Sequence, residues 1–526
     1  MPSEEWKDMS MDGSKTGLAV DVRDYGAIGD GIANDTAAIQ RGLDACAAAG
    51  GGVVRLHNGT FLSGTVKLRS RVELQLSASA RLLGVTDLAL YHRDTAMPYH
   101  LVNRSLVYAA GCEDIAITGE GTIDGQGDVF RQAFEHRFGD AWWPSCEHQE
   151  RTALIRMRDC RNVRLAGLRL TNSASFAVHP IQCRQVRIEG LRIENRGMPN
   201  NDALDVDGCQ DVFIANCTIS SGDDCIALKT IEPGPPCRDV VITNCILSSD
   251  CAAIRVGPDA VADIERVSAS NCVIRDTRLN GIKIQESFGA AMRDMVFSNM
   301  VMDNVSGPIS LRLAGWAMGS ENPWSVLDDS RWAEGRLENI LFDNIRARVP
   351  TDPIKSCMAI TGTPRTRPRN ITFSNMDVSF PGGGTADDAA RRDVPEQERV
   401  YPEIGMFGIL PAYGLYARHA DGLTLNNVRF EVASDERRPA VDCDDVADLE
   451  LAGFRSAAYA QAESLIRLRN TRRAFVTGSR PLRPVATFVR VEGADSGKIG
   501  LRNNLTDLAA KDVECANGAT AACCLL

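Results

Sequence analysis

No apolar run in this chain approaches the ~18 residues that a membrane-spanning helix requires, so a helical membrane protein is excluded. The opening stretch, MPSEEWKDMSMDGSK, is polar and lacks the apolar segment of a signal peptide. The expectation is therefore a cytoplasmic protein, or a secreted or periplasmic one whose signal has been removed. Net positive charge is also missing. The formal charge is -11, which argues against a general nucleic-acid binder. Aromatic residues are scarce, at 6% of 526 residues, while hydrophobic residues reach 44%. Such a composition suits a narrow core of small and β-branched side chains. No CxxC pair has the spacing of zinc ligands, so neither a structural metal nor a cofactor is expected.

Cysteine, by contrast, is abundant. The 17 cysteines are an odd number, and many (Cys160, Cys183, Cys209, Cys217, Cys225, Cys245, Cys272) recur beside apolar residues. They read as buried thiols acting as small hydrophobes rather than as disulfides. The closing Cys523-Cys524-Leu525-Leu526 has the outline of a prenylation box. No basic run precedes it, and it reads as an untidy tail.

A short phrase repeats along the chain: a polar or Cys entry, an apolar-polar-apolar triplet, a small residue or Asn, then apolar-x-apolar. It stands in CRNVRLAGLRLTN from Cys160, CRQVRIEGLRIEN from Cys183, CQDVFIANCTISS from Cys209 and CRDVVITNCILSS from Cys237. About ten copies at a spacing of roughly 23–28 residues signal a solenoid, and the alternation within each is strand-like. No leucine-rich framework is present, so a parallel β-helix is expected. Asn216, Asn244, Asn271, Asn299, Asn344 and Asn375 fall at its turns, where Asn tolerates left-handed backbone and can stack amides in ladders. Residues 35–49 read as a helix with Asp35 as N-cap, Ile39 and Leu43 on one face and Gly50-Gly51-Gly52 as the stop. This helix is expected to cap the N-terminal end of the solenoid. The interruptions near 314–336 and 381–405 read as loops on its flank. The domain plan is a flexible segment over 1–18, one β-helix domain over 19–510 with its cap at about 19–60, and a flexible tail over 511–526.

Acidic residues cluster in NNDALDVDGCQDVFIANCTISSGDDCIALK, residues 200–229. Asp202 and Asp223 lie about one repeat apart, so they are expected to stack at the ~4.8 Å spacing of neighbouring strands. Crowded carboxylates cannot all ionise easily, so one keeps a proton at a raised pKa while a neighbour serves as base. That is the minimal equipment for cleaving a glycosidic bond. Asp205 and Asp207 have a blander reading as Asx turns at coil corners.

These residues resemble the pectate-lyase-like right-handed β-helix superfamily, and most closely glycoside hydrolase family 28, the polygalacturonase-like enzymes. VRDYGAIGDGIANDTAAIQRGLDACAAAGGGVVRL resembles the superfamily's opening, and GEGTIDGQG followed by Trp142-Trp143 a later landmark of the hydrolases. NNDALD stands where the family has Asn-Thr-Asp-Gly-x-Asp, and SGDDCIALK where it has its Asp-Asp motif. The resemblance implies an all-β, right-handed parallel β-helix and an inverting hydrolase. It implies Asp223 as general acid, with Asp202 and Asp224 holding and deprotonating the attacking water. Two landmarks differ. Ala252 stands in place of the His of the family's Gly-His-Gly, and Lys283-Ile284-Gln285 in place of its Arg-Ile-Lys. Lys does not replace Arg as a bidentate carboxylate ligand, and Gln carries no charge. The sugar recognised is thus expected to differ from galacturonan, as an α-linked acidic or deoxy sugar.

Candidate substrate-binding residues are His179, Asn200, Asp205, Lys229, Arg255, Lys283, Gln285, Glu286 and Arg312, with Trp316 stacking on a sugar face. The expected partner is a carbohydrate, with no nucleic acid and no membrane, and the expected state a monomer or weak homo-oligomer. Two other readings stay open. One is a Ca²⁺-dependent lyase or epimerase using the clustered carboxylates as a hard oxygen site. The other is a non-catalytic carbohydrate-binding β-helix.

Overall fold

The computed structural model describes residues 17–96, 103–146, 149–315, 334–351 and 357–525. The expected flexible segment, apart from its last residues, and Trp316 lie outside the described residues. The rest is one continuous stack of parallel strands, each paired to its counterpart one coil on. Ile188, for example, sits between Leu165 and Ile214. The alternating phrase explains this. Val186 and Ile188 point inward and are buried, while Arg184 and Gln185 between coil corners are exposed.

The Asn positions behave as their chemistry requires. Asn216, Asn244, Asn271, Asn299, Asn344 and Asn375 all have φ between 51° and 58°, the left-handed region that Asn enters at low cost. Their amides ladder in part: Asn244 donates to Asn216 at 3.4 Å and Asn344 to Asn299 at 2.8 Å. The ladder breaks where Asn271 donates to Thr243 and Asn375 to Asp343 instead. Inside, Phe297, Phe342 and Phe373 stack on successive coils with centroids 5.3 and 5.1 Å apart. Each cysteine whose side chain is described is a free thiol. Most are buried, and stacked ones such as Cys217, Cys245 and Cys272 donate to the carbonyl two residues back at 3.3 Å.

Helix α1 (Thr36–Ala48) buries Ile39, Leu43 and Cys46. Asp35 precedes it but makes no side-chain cap bond. Its carboxylate instead accepts from the backbone of Ile28 at 2.7 Å and Gly29 at 3.0 Å, tying down the loop before the helix. Gly52 is required where the chain leaves the helix, because a Cβ there would stand 2.0 Å from the Leu18 carbonyl oxygen.

The flexible tail expected over 511–526 is corrected. Ala509–Ala516 pairs along Val485–Glu492, and Cys524–Leu525 pairs with Ile499 and Gly500. The weak apolar alternation of KDVECANGAT hid strands that backbone pairing stabilises.

One sheet departs from simple alternation. Strands β1 (Thr152–Arg158), β2 (Val178–Ile181), β3 (Leu204–Asp207) and β4 (Ile226–Thr230) are buried at every position. They continue into β5 (Ala252–Ala260) and β6 (Val273–Glu286). Their inner face is apolar. Their outer face carries Arg156, His179, Asp205, Lys229, Arg255 and Lys283, all nearly inaccessible. This buried, charged sheet face carries the acidic cluster.

Candidate active site

Leu204 pairs with Ile226, so the two coils here are offset by 22 residues. Asp202 therefore stacks on Asp224 and not on Asp223 as expected. The backbone confirms it: Ala203 N–H donates to the Asp224 carbonyl at 2.9 Å. Asp223 stands one position earlier and is the most accessible of the three, while Asp202 and Asp224 are buried.

Cations set these carboxyls apart. Arg255 Nη1 donates to Asp224 Oδ2 at 3.1 Å, and the Ala252 N–H donates to its Oδ1, also at 3.1 Å. Burial alone would raise the Asp224 pKa, but the charges of Arg255, Lys283 and Lys229 outweigh it and hold the carboxyl below its usual value. Asp223 accepts from the Asp224 N–H at 3.0 Å but, among the described residues, has no cation paired with it. Burial, with the negative charges of Asp202 and Asp224, pushes it well above the ordinary carboxyl range. Asp202 is also raised, by burial first, against the pull of Lys229. A protonated carboxyl beside an ionised one is what acid–base cleavage needs.

Lys229 is not open to a sugar. Its Nζ lies 3.3 Å from Asp202 Oδ2 and 2.7 Å from Asp205 Oδ1, and 4.8 Å from the centre of the Phe176 ring. Burial and the nearby Asp202 keep Asp205 strongly raised in spite of that pair. One ammonium thus serves two carboxyls. Asp205 and Asp207 make no Asx turns. Asp207 accepts from Ile231 N at 2.8 Å, and burial pushes its pKa up to about 6.

Several expected sugar ligands are likewise engaged within the protein. His179 is fully buried, with Nδ1 3.4 Å from Arg156 Nη2 and Nε2 3.4 Å from Asp207 Oδ2. Burial, with the charges of Arg156 and Lys229, keeps it neutral. Asn200 is half-buried and accepts from Arg151 Nη2 at 2.9 Å. Glu286 is fully buried, and its Oε1 accepts from the backbone of Phe288, Gly289 and Ala290 at 2.8, 2.8 and 3.0 Å. Arg312 donates to the carbonyls of Gly362 and Glu396 at 2.8 and 2.7 Å and lies over the Phe407 ring.

Glu286 carries a prediction of its own. Burial raises its pKa to about 8, so the neutral carboxyl is the form near pH 7. Glu286→Gln keeps the acceptor oxygen and should alter stability by less than about 1 kcal/mol. Glu286→Ala orphans three N–H groups and should cost about 3 kcal/mol or more. Chemical denaturation of the two variants checks the contrast, and equal losses would reject this role.

The residues that sequence reasoning missed come from the 381–405 insertion. Tyr401 accepts from Arg255 Nη2 at 2.5 Å. Glu403 pairs with Lys283, and the Pro402 carbonyl accepts from Gln285 Nε2. Arg255 Nη2 also donates to Gln285 Oε1 at 3.0 Å. Arg255, Lys283 and Gln285 are thus covered by a strap of the chain itself. Nothing in the repeat phrase signals this, because the strap lies more than a hundred residues away. Cys251 was also missed. Its Sγ lies 3.9 Å from Lys283 Nζ, and its ligand atom and those of Asp223 and Asp224 all lie within 4.8 Å of one another. Arg255 and Lys283 already bring positive charge to that spot, which disfavours a further cation there.

The family model described as glycosyl hydrolases family 28 matches residues 59–391. The chain belongs to glycoside hydrolase family 28. It is accordingly a glycosidase. A probable polygalacturonase of Vitis vinifera is 30% identical over 362 residues, spanning 63% of this chain and 71% of the relative. An exopolygalacturonase of Zea mays is 22% identical, spanning 72% of this chain and 88% of the relative. Among solved structures, an exopolygalacturonase from Thermotoga maritima superposes with a TM-score of 0.57 at 21% identity, covering 69% of this chain and 87% of that one. A family 28 exopolygalacturonase of Yersinia enterocolitica gives 0.52 at 19% identity, covering 96% and 79%. At those identities the structural likeness speaks for the β-helix. The family assignment rests on the sequence match.

Proposed function

We propose that this family 28 member hydrolyses an α-linked bond in a pectin-like glycan with inversion of configuration. Asp223 protonates the leaving oxygen, while Asp224 and Asp202 hold and deprotonate the attacking water. The observation that carries this reading is the opposed environment of adjacent carboxyls. Asp223 is half-buried and raised, and Asp224 is buried, paired with Arg255 and lowered. A Ca²⁺-dependent lyase is disfavoured because the Lys229 ammonium already sits between Asp202 and Asp205. Time-resolved NMR of the released sugar tests the proposal. The first product formed should be the β anomer; an α anomer or an unsaturated product would reject it.

The specificity is proposed to have diverged from that of polygalacturonases. Glu403 supports this, because it places a carboxylate of the protein itself on Lys283, a residue standing within the stretch that replaces the family's uronate-binding motif. The strap also packs over Arg255, Lys283 and Gln285, which supports action from a chain end with release of short products. Glu403→Gln should raise kcat/KM on an unesterified uronate oligomer relative to its methyl ester by roughly tenfold, the worth of about 1.4 kcal/mol of charge-assisted pairing. An unchanged ratio would mean that Lys283 does not read the sugar's charge.

A further inference from the structure

The thiols of Cys515, Cys523 and Cys524 lie in the last strands, coils away from the acidic cluster, and they are grouped differently from the other cysteines. The stacked thiols of the core each donate to a carbonyl two residues back, as Cys160 does to Arg158 and Cys183 to Ile181. They are small core side chains with satisfied donors. Core thiols also lie beside one another, as Cys160 does beside Cys112 and Cys183, but among the described residues only Cys515, Cys523 and Cys524 form an all-thiol group in which each sulfur is close to both others. Cys515 Sγ lies 3.9 Å from Cys524 Sγ, and Cys523 Sγ lies 3.6 Å from Cys524 Sγ. All three sulfurs fall within 4.8 Å of one another. Cys515 and Cys524 are half-buried and Cys523 is buried, so the group is shielded yet reachable.

Those separations select among the fates of neighbouring thiols. A disulfide needs sulfurs at about 2.05 Å and Cα atoms about 4.4–6.8 Å apart. Consecutive residues across a trans peptide hold their Cα atoms at about 3.8 Å, so Cys523 and Cys524 cannot bridge without distortion. A tetrahedral zinc with Zn–S bonds of about 2.3 Å sets its sulfurs about 3.8 Å apart along each edge. The observed 3.6 and 3.9 Å bracket that edge.

We propose that Cys515, Cys523 and Cys524 form a site for one thiophilic d¹⁰ cation, with Zn²⁺ the best match. Water completes the fourth position. Each thiol releases its proton to solvent and donates a sulfur lone pair to the metal, so three protons leave, three metal–sulfur bonds form and no electron is transferred. The site is a clip. The pairing of Cys524–Leu525 with the preceding coil spans only Ile499 and Gly500, and the metal would fasten that short strand to Ala509–Ala516. No CxxC marks the site, because its ligands meet across a turn between two short strands.

The test uses the full chain, reduced and freed of metal. Titration with Cd²⁺ should develop a thiolate-to-metal ultraviolet band that saturates at one equivalent. Zn²⁺, followed by competition with a chromophoric chelator, should bind with a submicromolar Kd that weakens at least 100-fold in Cys515→Ser. A wild-type measurement guards against a variant that fails to fold. Bound Zn²⁺ should slow alkylation of Cys515 and Cys524 at least tenfold by peptide mass spectrometry and leave Cys251 unchanged. No band, a band that persists in Cys515→Ser, protection at Cys251 instead, or a Cys515–Cys524 disulfide in protein kept under reductant would each overturn the proposal.

Discussion

Asp223→Asn is expected to lower kcat by 10²–10⁴-fold, the usual worth of a positioned general acid, with KM changed by less than about threefold. The amide matches the shape of the neutral carboxyl but has no acidic proton to deliver. Because burial and the charges of Asp202 and Asp224 keep Asp223 protonated in the wild type, the substitution removes little charge. Stability should therefore hold or rise, which separates a chemical loss from a folding loss. Two further readouts belong to a general acid alone. An activated aryl glycoside, whose leaving group needs no proton, should lose far less than the natural substrate. The wild-type rate should fall with rising pH as Asp223 ionises, and that limb should vanish from the variant's residual activity. An unchanged kcat, or an equal loss on both substrates, would remove Asp223 from the role.

The repeating architecture was legible in the sequence because it rests on local chemistry. Alternation of apolar residues makes strands, Asn admits the left-handed turn, and period sets the coil. The acidic cluster was legible for the same reason, since carboxylates one repeat apart must meet. What the sequence could not deliver was register at the resolution of one residue. The stacking of Asp202 on Asp224 depends on a 22-residue coil in a chain whose neighbouring coils are longer. Nor did it reveal how many charges are already paired within the protein. Lys229, Arg255 and Lys283 look alike as free basic residues in a list of letters. In the fold each is held by a carboxylate, and two are covered by the strap of Tyr401, Pro402 and Glu403. Pairing across more than a hundred residues has no local signature. The Cys515 group shows the same limit: its thiols are neighbours because the chain turns between two short strands there.

Arg255→Met is expected to damage both the chemistry and the fold, in distinguishable ways. Arg255 is nearly inaccessible and joins Asp224, Gln285 and Tyr401. Removing one partner of a buried pair leaves the other charge uncompensated, and such losses run to about 3–5 kcal/mol. A lower unfolding midpoint should register this. The catalytic consequence follows from sign. Arg255 is the largest of the influences that hold the Asp224 pKa down against its burial. Without it less positive charge opposes burial and the pKa rises, so the base is protonated over a wider acidic range. The acid limb of the kcat profile should therefore move to higher pH, with the loss of rate greatest at low pH and shrinking as pH rises. Arg255→Lys restores a cation and should recover most of the limb's position, though not the bonds to Gln285 and Tyr401. A uniform loss at all pH values, with the limb unmoved, would mean that Arg255 only supports the strap and that the ionisation of Asp224 does not govern the reaction.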